Sequence, residues 1–173
     1  MEAVSTGEGR SRRVVVGVDD SPGGLAALRH AIDMARAGRS QLVAVRSWGL
    51  GLPRHGGRRR RRVDADHGPL VTFFNGAEQR QRSAQLIRQA FTDASGGIPD
   101  DVTVAFKTPE GDPGLVLTRF AAADDVLVVG TERDQAMKRL VHGSVSHYCR
   151  AHARCPVVVV APAGSDPQPG TSR

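Results

Sequence analysis

Aromatic residues make up only 4% of this 173-residue chain, and it holds just two cysteines. Each scarcity excludes something. Cys149 and Cys155 form neither a Cys-x-x-Cys pair nor any zinc-ligand pattern, so a structural zinc or dithiol redox centre is not expected. Free thiols of this kind behave as small hydrophobes. The longest apolar runs, "VLVVG" and "PVVVVAPA", fall far short of the ~20 residues that cross a bilayer. The opening stretch "MEAVSTGEGRSRR" has no apolar core of the secretory kind, so the expected location is cytoplasmic, with no membrane partner. A Walker-type lysine and a dedicated catalytic base are also missing. An enzyme is therefore not expected, and any hydrolysis would be slow.

Negative charge is short by six, and the shortfall has an address. Arg54, Arg58, Arg59, Arg60, Arg61 and Arg62 fall close together in "LPRHGGRRRRRVDADHGP". Without those six, the basic residues would equal the 18 acidic ones and the net charge of +6 would vanish. Glycine, proline and mutually repelling cations mark an exposed loop, read here as an insertion over 53–72. Such a run is either a solvated insertion or a contact for a polyanion or acidic partner. It holds no aromatic residue, which weakens a stacking role on single-stranded nucleic acid.

What is present alternates. "RRVVVGVD" is a continuous β-branched run, the pattern of a strand buried on both faces. In "DSPGGLAALRHAIDMARAG", Ser21 is an N-cap, Pro22 a first-turn proline and Gly38 the expected stop, with Leu25, Leu28, Ile32 and Ala35 on one stripe. "SQLVAVRSW" reads as a second strand, and Leu86, Ile87, Ala90 and Phe91 mark a second helix. "DVTVAFKT" is a third strand, and Asp112 and Pro113 then repeat the opening device of the first helix. "DDVLVVG", "GSVSHYCRAHA" and "CPVVVVAP" supply a fourth strand, a short helix and a last strand. The expected fold class is α/β: an open five-stranded, mostly or wholly parallel sheet with helices on both faces. It occupies residues 12–162, between polar tails at 1–11 and 163–173 that are expected to be disordered.

Ligands of such sheets bind at the carboxyl ends of the strands, where the winding reverses. Three segments should meet there: Asp19 after the first strand, Ser47 after the second, and the loop that starts at Gly130. Gly143, Ser144 and Val145 open the next helix, whose free N–H groups favour an anion.

The stretches "VVVGVDDSPGGLAALRHA", "EGDPGLVL", "DDVLVVGT" and "HGSVSHYCRAHARCPVVVV", in this order, resemble the universal stress protein family across about 12–162. The resemblance implies a five-stranded sheet and a homodimer through the last strand, here residues 156–161. It also implies two branches, one binding ATP through a Gly-2x-Gly-9x-Gly-Ser/Thr loop and one lacking that loop. Position by position, the first glycine of the loop falls on Gly130 and its final pair on Gly143 and Ser144. The second glycine is replaced by Arg133. Asp19 matches the acidic residue near the nucleotide, and Ser47 falls near the adenine-facing position.

A Cβ where glycine is needed costs ~1–2 kcal/mol, but a guanidinium can pair with phosphate. Lys138 and Arg139 add charge to the same loop. Ser144 and Ser146 lie close in sequence to His142 and His147. Those two histidines, five residues apart, do not share a helix face, so neither a catalytic triad nor a metal site is expected.

Three functions stay open: a stress-response regulator holding ATP or a related adenine nucleotide, with Mg²⁺ as its companion cation; a ligand-free dimeric adaptor; and a polyanion-binding protein.

Overall fold

The computed structural model describes residues 12–49, 76–131 and 145–162. Nine elements follow in order: β1 (Val14–Gly17), α1 (Pro22–Gly38), β2 (Leu42–Val45), α2 (Gly76–Ser95), β3 (Val104–Lys107), α3 (Pro113–Phe120), β4 (Val126–Gly130), α4 (Val145–His152) and β5 (Val157–Val160). The strands lie in the order β3-β2-β1-β4-β5, and every pairing is parallel. The expected α/β sheet is thus present and wholly parallel. The arginine-bearing insertion and both tails lie outside the described residues.

Two apolar clusters pin the sheet from opposite sides. Val14, Val16, Leu42, Ala44 and Val128 point to one face, where α1 and α2 cover them with Ala27, Leu28, Ala31, Ile32, Ile87 and Phe91. Val15, Val43, Val45, Leu127 and Val129 point to the other, beneath Val116 and Leu117 of α3 and Cys149 of α4. Alternate residues of one strand serve alternate faces, so a strand buried on both has no polar position to spare. This is why β1, β2 and β4 read as unbroken valine and leucine runs.

The helix starts follow their sequence signals. The Ser21 hydroxyl accepts from the Gly24 amide at 2.9 Å, and the Asp112 carboxylate from the Leu115 amide at 3.1 Å. The expected stop at Gly38 is displaced by one residue. Gly38 is the last helical position, and Arg39 takes the left-handed conformation at φ 48°. There its amide and that of Ser40 close the helix on the carbonyls of Arg36 and Ala35. The capping bonds offset the ~1–2 kcal/mol that a side chain costs in this region.

At the amino-terminal end of the sheet, Asp125 is 1% exposed and lies just before β4. It accepts from the Arg13 backbone amide at 3.3 Å, from Arg13 Nε at 3.0 Å and from the Ala122 amide at 2.8 Å. Burial works to raise this carboxyl, yet the Arg13 guanidinium and the two amides outweigh it and hold it below the ordinary carboxylate value. The clamp ties β1 to β4 at the end opposite the cleft described next.

Candidate functional site

Passing from β1 the chain goes to β2 on one side, and from β3 it returns to β4 on the other, so the winding reverses between β1 and β4. The carboxyl ends of these strands hold a cleft of about 190 Å³. Its floor is Gly17, Val45 and Val129, the terminal residues on the α3–α4 face of three adjacent strands. Pro113, Val116 and Leu117 of α3 form the opposite wall, and Asp19, Ser47, Gly130 and Val145 stand around it. Of the residues singled out in the sequence, these four are brought together. Arg133, Gly143 and Ser144 lie outside the described residues, as do Lys138, Arg139 and the arginines at 54 and 58–62.

Local chemistry explains the rim at Asp19 and at Gly130. Asp19 Oδ1 accepts from the Ser21 amide at 3.0 Å and from the Ser21 hydroxyl at 2.6 Å. One carboxylate oxygen thus braces the turn that starts α1, a structural duty the sequence pattern did not reveal. Asp20 turns the other way, to Arg46 Nη2 at 3.0 Å, and this hydrogen bond holds its carboxyl below the usual value. The other Arg46 nitrogen, Nη1, is buried without a partner among the described residues. Trp48, next to Ser47, is fixed by its ring N–H on the Thr108 carbonyl at 2.8 Å, and its backbone bridges to Glu110, continuing the β2–β3 pairing past the end of the sheet.

Gly130 has a packing reason to be glycine. A Cβ there would lie 2.4 Å from the Gly23 carbonyl carbon, and one on Gly23 would lie 2.3 Å from the Thr131 carbonyl oxygen. The first turn of α1 rests directly on the end of β4, backbone to backbone. Glycine at 130 is therefore demanded by the fold itself, whether or not a phosphate ever approaches. The contribution of α3 is not among the expectations from the sequence, which mark only its opening residues Asp112 and Pro113. The signal was available: α3 follows β3 directly, so its first turns sit at the carboxyl end of a parallel sheet.

Neither thiol serves this site. Burial pushes Cys149 up to about 11 and raises Cys155 as well, which keeps both protonated at neutral pH. No three His, Cys, Asp or Glu side chains converge among the described residues. A Mg²⁺ at Asp19 would therefore draw most of its oxygen ligands from phosphate and water, the usual habit of that ion with nucleotides. No described helix is long and apolar enough to cross a membrane.

The sequence model of the universal stress protein family matches residues 63–161, more than half of the chain, and the chain belongs to that family. Among solved structures, UspA from Lactobacillus plantarum is 21% identical, with a TM-score of 0.59 over 88% of this chain and 99% of that one. A universal stress protein in complex with cAMP is 19% identical, with a TM-score of 0.57 over 88% and 98%. A family protein from Burkholderia pseudomallei is 22% identical, with a TM-score of 0.54 over 90% and 99%. At these identities the likeness speaks for the fold. No curated protein matches the chain.

Proposed function

We propose that this protein is a stress-response regulator that binds ATP or a related adenine nucleotide in the cleft as a non-catalytic switch. The observation that carries the reading is the meeting of Asp19, Ser47, Gly130 and Val145 around an apolar slot at the switch point of a parallel sheet. A flat base suits walls of valine and leucine, while the second carboxylate oxygen of Asp19 suits a ribose hydroxyl or a companion cation. The structural likeness to a family member solved with cAMP points to the same ligand class. The phosphates would run toward the start of α4, where the sequence places Gly143 and Ser144, with Arg133 supplying charge in place of backbone approach. Occupancy would then alter the surface presented to partners by a cytoplasmic homodimer.

Mass spectrometry of gently purified protein tests this first, since co-purified nucleotide would be seen directly. Calorimetry should then show ATP binding that Gly143→Val abolishes, because the valine fills the space in front of the helix N-terminus. Unchanged affinity in that variant would place the phosphate site elsewhere.

A further inference from the structure

Across the top of the sheet, on the face covered by α3 and α4, the terminal residues run Val45, Gly17, Val129. The middle of that row has no side chain. A dent therefore lies at the centre of the cleft floor, and it is occupied. A Cβ on Gly17 would stand 2.9 Å from Leu117 Cδ1 and 3.5 Å from Cδ2. Leu117 reaches down from α3, is 4% exposed, and lines the cleft beside Val116. Its isobutyl group is seated on the Gly17 backbone and closes the inner end of the slot.

We infer that Leu117, seated on Gly17, is the residue that sizes the slot for an adenine base carrying no bulky substituent. This rests on the nucleotide reading above. Floor and α3 wall are apolar, formed by Gly17, Val45, Val129, Val116 and Leu117, and the charged side chains Asp19 and Arg46 also line the slot. These apolar surfaces suit an aromatic ring better than a phosphate, whose desolvation they do not compensate. The base therefore enters first, and the side chain at the inner end sets how far it goes. Gly17 is the second half of the device. A side chain there meets Leu117 Cδ1 at 2.9 Å, so Leu117 must shift from its seat at the edge of the space assigned to the base.

Selectivity in a slot of this kind follows the volume of a few carbon atoms, and one methylene is worth about 10–200-fold in discrimination. Leu117→Ala removes three carbons from the inner end. It should admit a bulky base that the native slot refuses, while contacts to sugar and phosphate stay as they were.

The test is calorimetric titration with ATP and with ATP analogues carrying a benzyl or similar group at C2, N6 or C8. Wild type should bind ATP and discriminate against the analogue whose substituent points inward. Leu117→Ala should improve that analogue relative to ATP by about tenfold or more. Leu117→Val, a milder change, should move the ratio in the same direction and covers the case in which the alanine variant does not fold. Gly17→Ala should weaken ATP, and adding Leu117→Val to it should restore part of the loss. ATP binding with an unchanged analogue ratio in folded Leu117 variants overturns the assignment alone, as does a Gly17→Ala variant of native affinity. Failure of wild type to bind ATP at all overturns the nucleotide reading and this assignment together.

Discussion

At the scale of single residues, two carboxylates at opposite ends of the sheet show what a sequence hides. Asp125 sits in "DDVLVVG", where it looks like one more polar residue before a strand, yet it is the most deeply buried charge described. Its partner Arg13 is 112 positions away, so no local pattern links them. The place of Asp19 at the carboxyl end of β1 was legible, but its bracing of Ser21 depends on turn geometry that appears only after folding. Gly130 was read through a ligand motif and turns out to be fixed by backbone contact with Gly23.

The Asp125 clamp has a measurable sign. Its carboxyl is held below the unfolded value of about 3.9, so it adds stability that is fully present above that value. The contribution is lost as pH falls through the still lower folded value. Thermal melts should therefore show no dependence on this group between pH 5 and 7 and a fall below about pH 4. Asp125→Asn should be less stable at neutral pH by about 3 kcal/mol, since it leaves the Arg13 guanidinium partly buried without its counter-charge. The same variant should lose less on acidification than wild type. A variant as stable as wild type at pH 7 would show the clamp to be dispensable.

At the scale of elements, boundaries and edges carry the information. Strand cores were legible because unbroken valine runs belong only where helices cover both faces. Their ends were not: "RRVVVGVD" shortens to Val14–Gly17, because the chain beyond it turns to build the cleft rim. Helix starts were read correctly at Ser21 and Asp112, where one side chain decides the cap. The end of α1 was not, since a capped Arg39 does there what glycine commonly does.

β5 lies at an open edge of the sheet, with Val159 37% exposed, and an uncovered apolar edge strand invites pairing. The account proposes that a second copy pairs there, over residues 156–161. Sedimentation at micromolar concentration should show a dimer, and Val159→Glu should shift it to monomer while melting temperature at low concentration changes little. A native protein that sediments only as a monomer would refute the edge pairing.

At the scale of the whole molecule, the alternation of strands and helices fixes the architecture, and the architecture fixes where a ligand goes. The architecture was readable without coordinates, as five strands mostly or wholly parallel, and the structure brings Asp19, Ser47, Gly130 and Val145 to a cleft at the reversal point. What alternation does not encode is which helix roofs the cleft. That depends on the crossing of α3 over Gly17, a contact between a small residue and a large one from distant segments. The match to the family's sequence model begins at residue 63, so Gly17 of β1, and Asp19 and Ser47 in the turns after β1 and β2, lie outside it.

The central claim is that an adenine nucleotide occupies this cleft. Titration of isotope-labelled protein with ATP, followed by amide chemical-shift mapping, tests it most directly. The account predicts saturable shifts centred on the amides of Gly17, Asp19, Ser47, Gly130 and Val145, with those around Asp125 unmoved. An unchanged spectrum at millimolar ATP, or shifts gathered at the opposite end of the sheet, would contradict it.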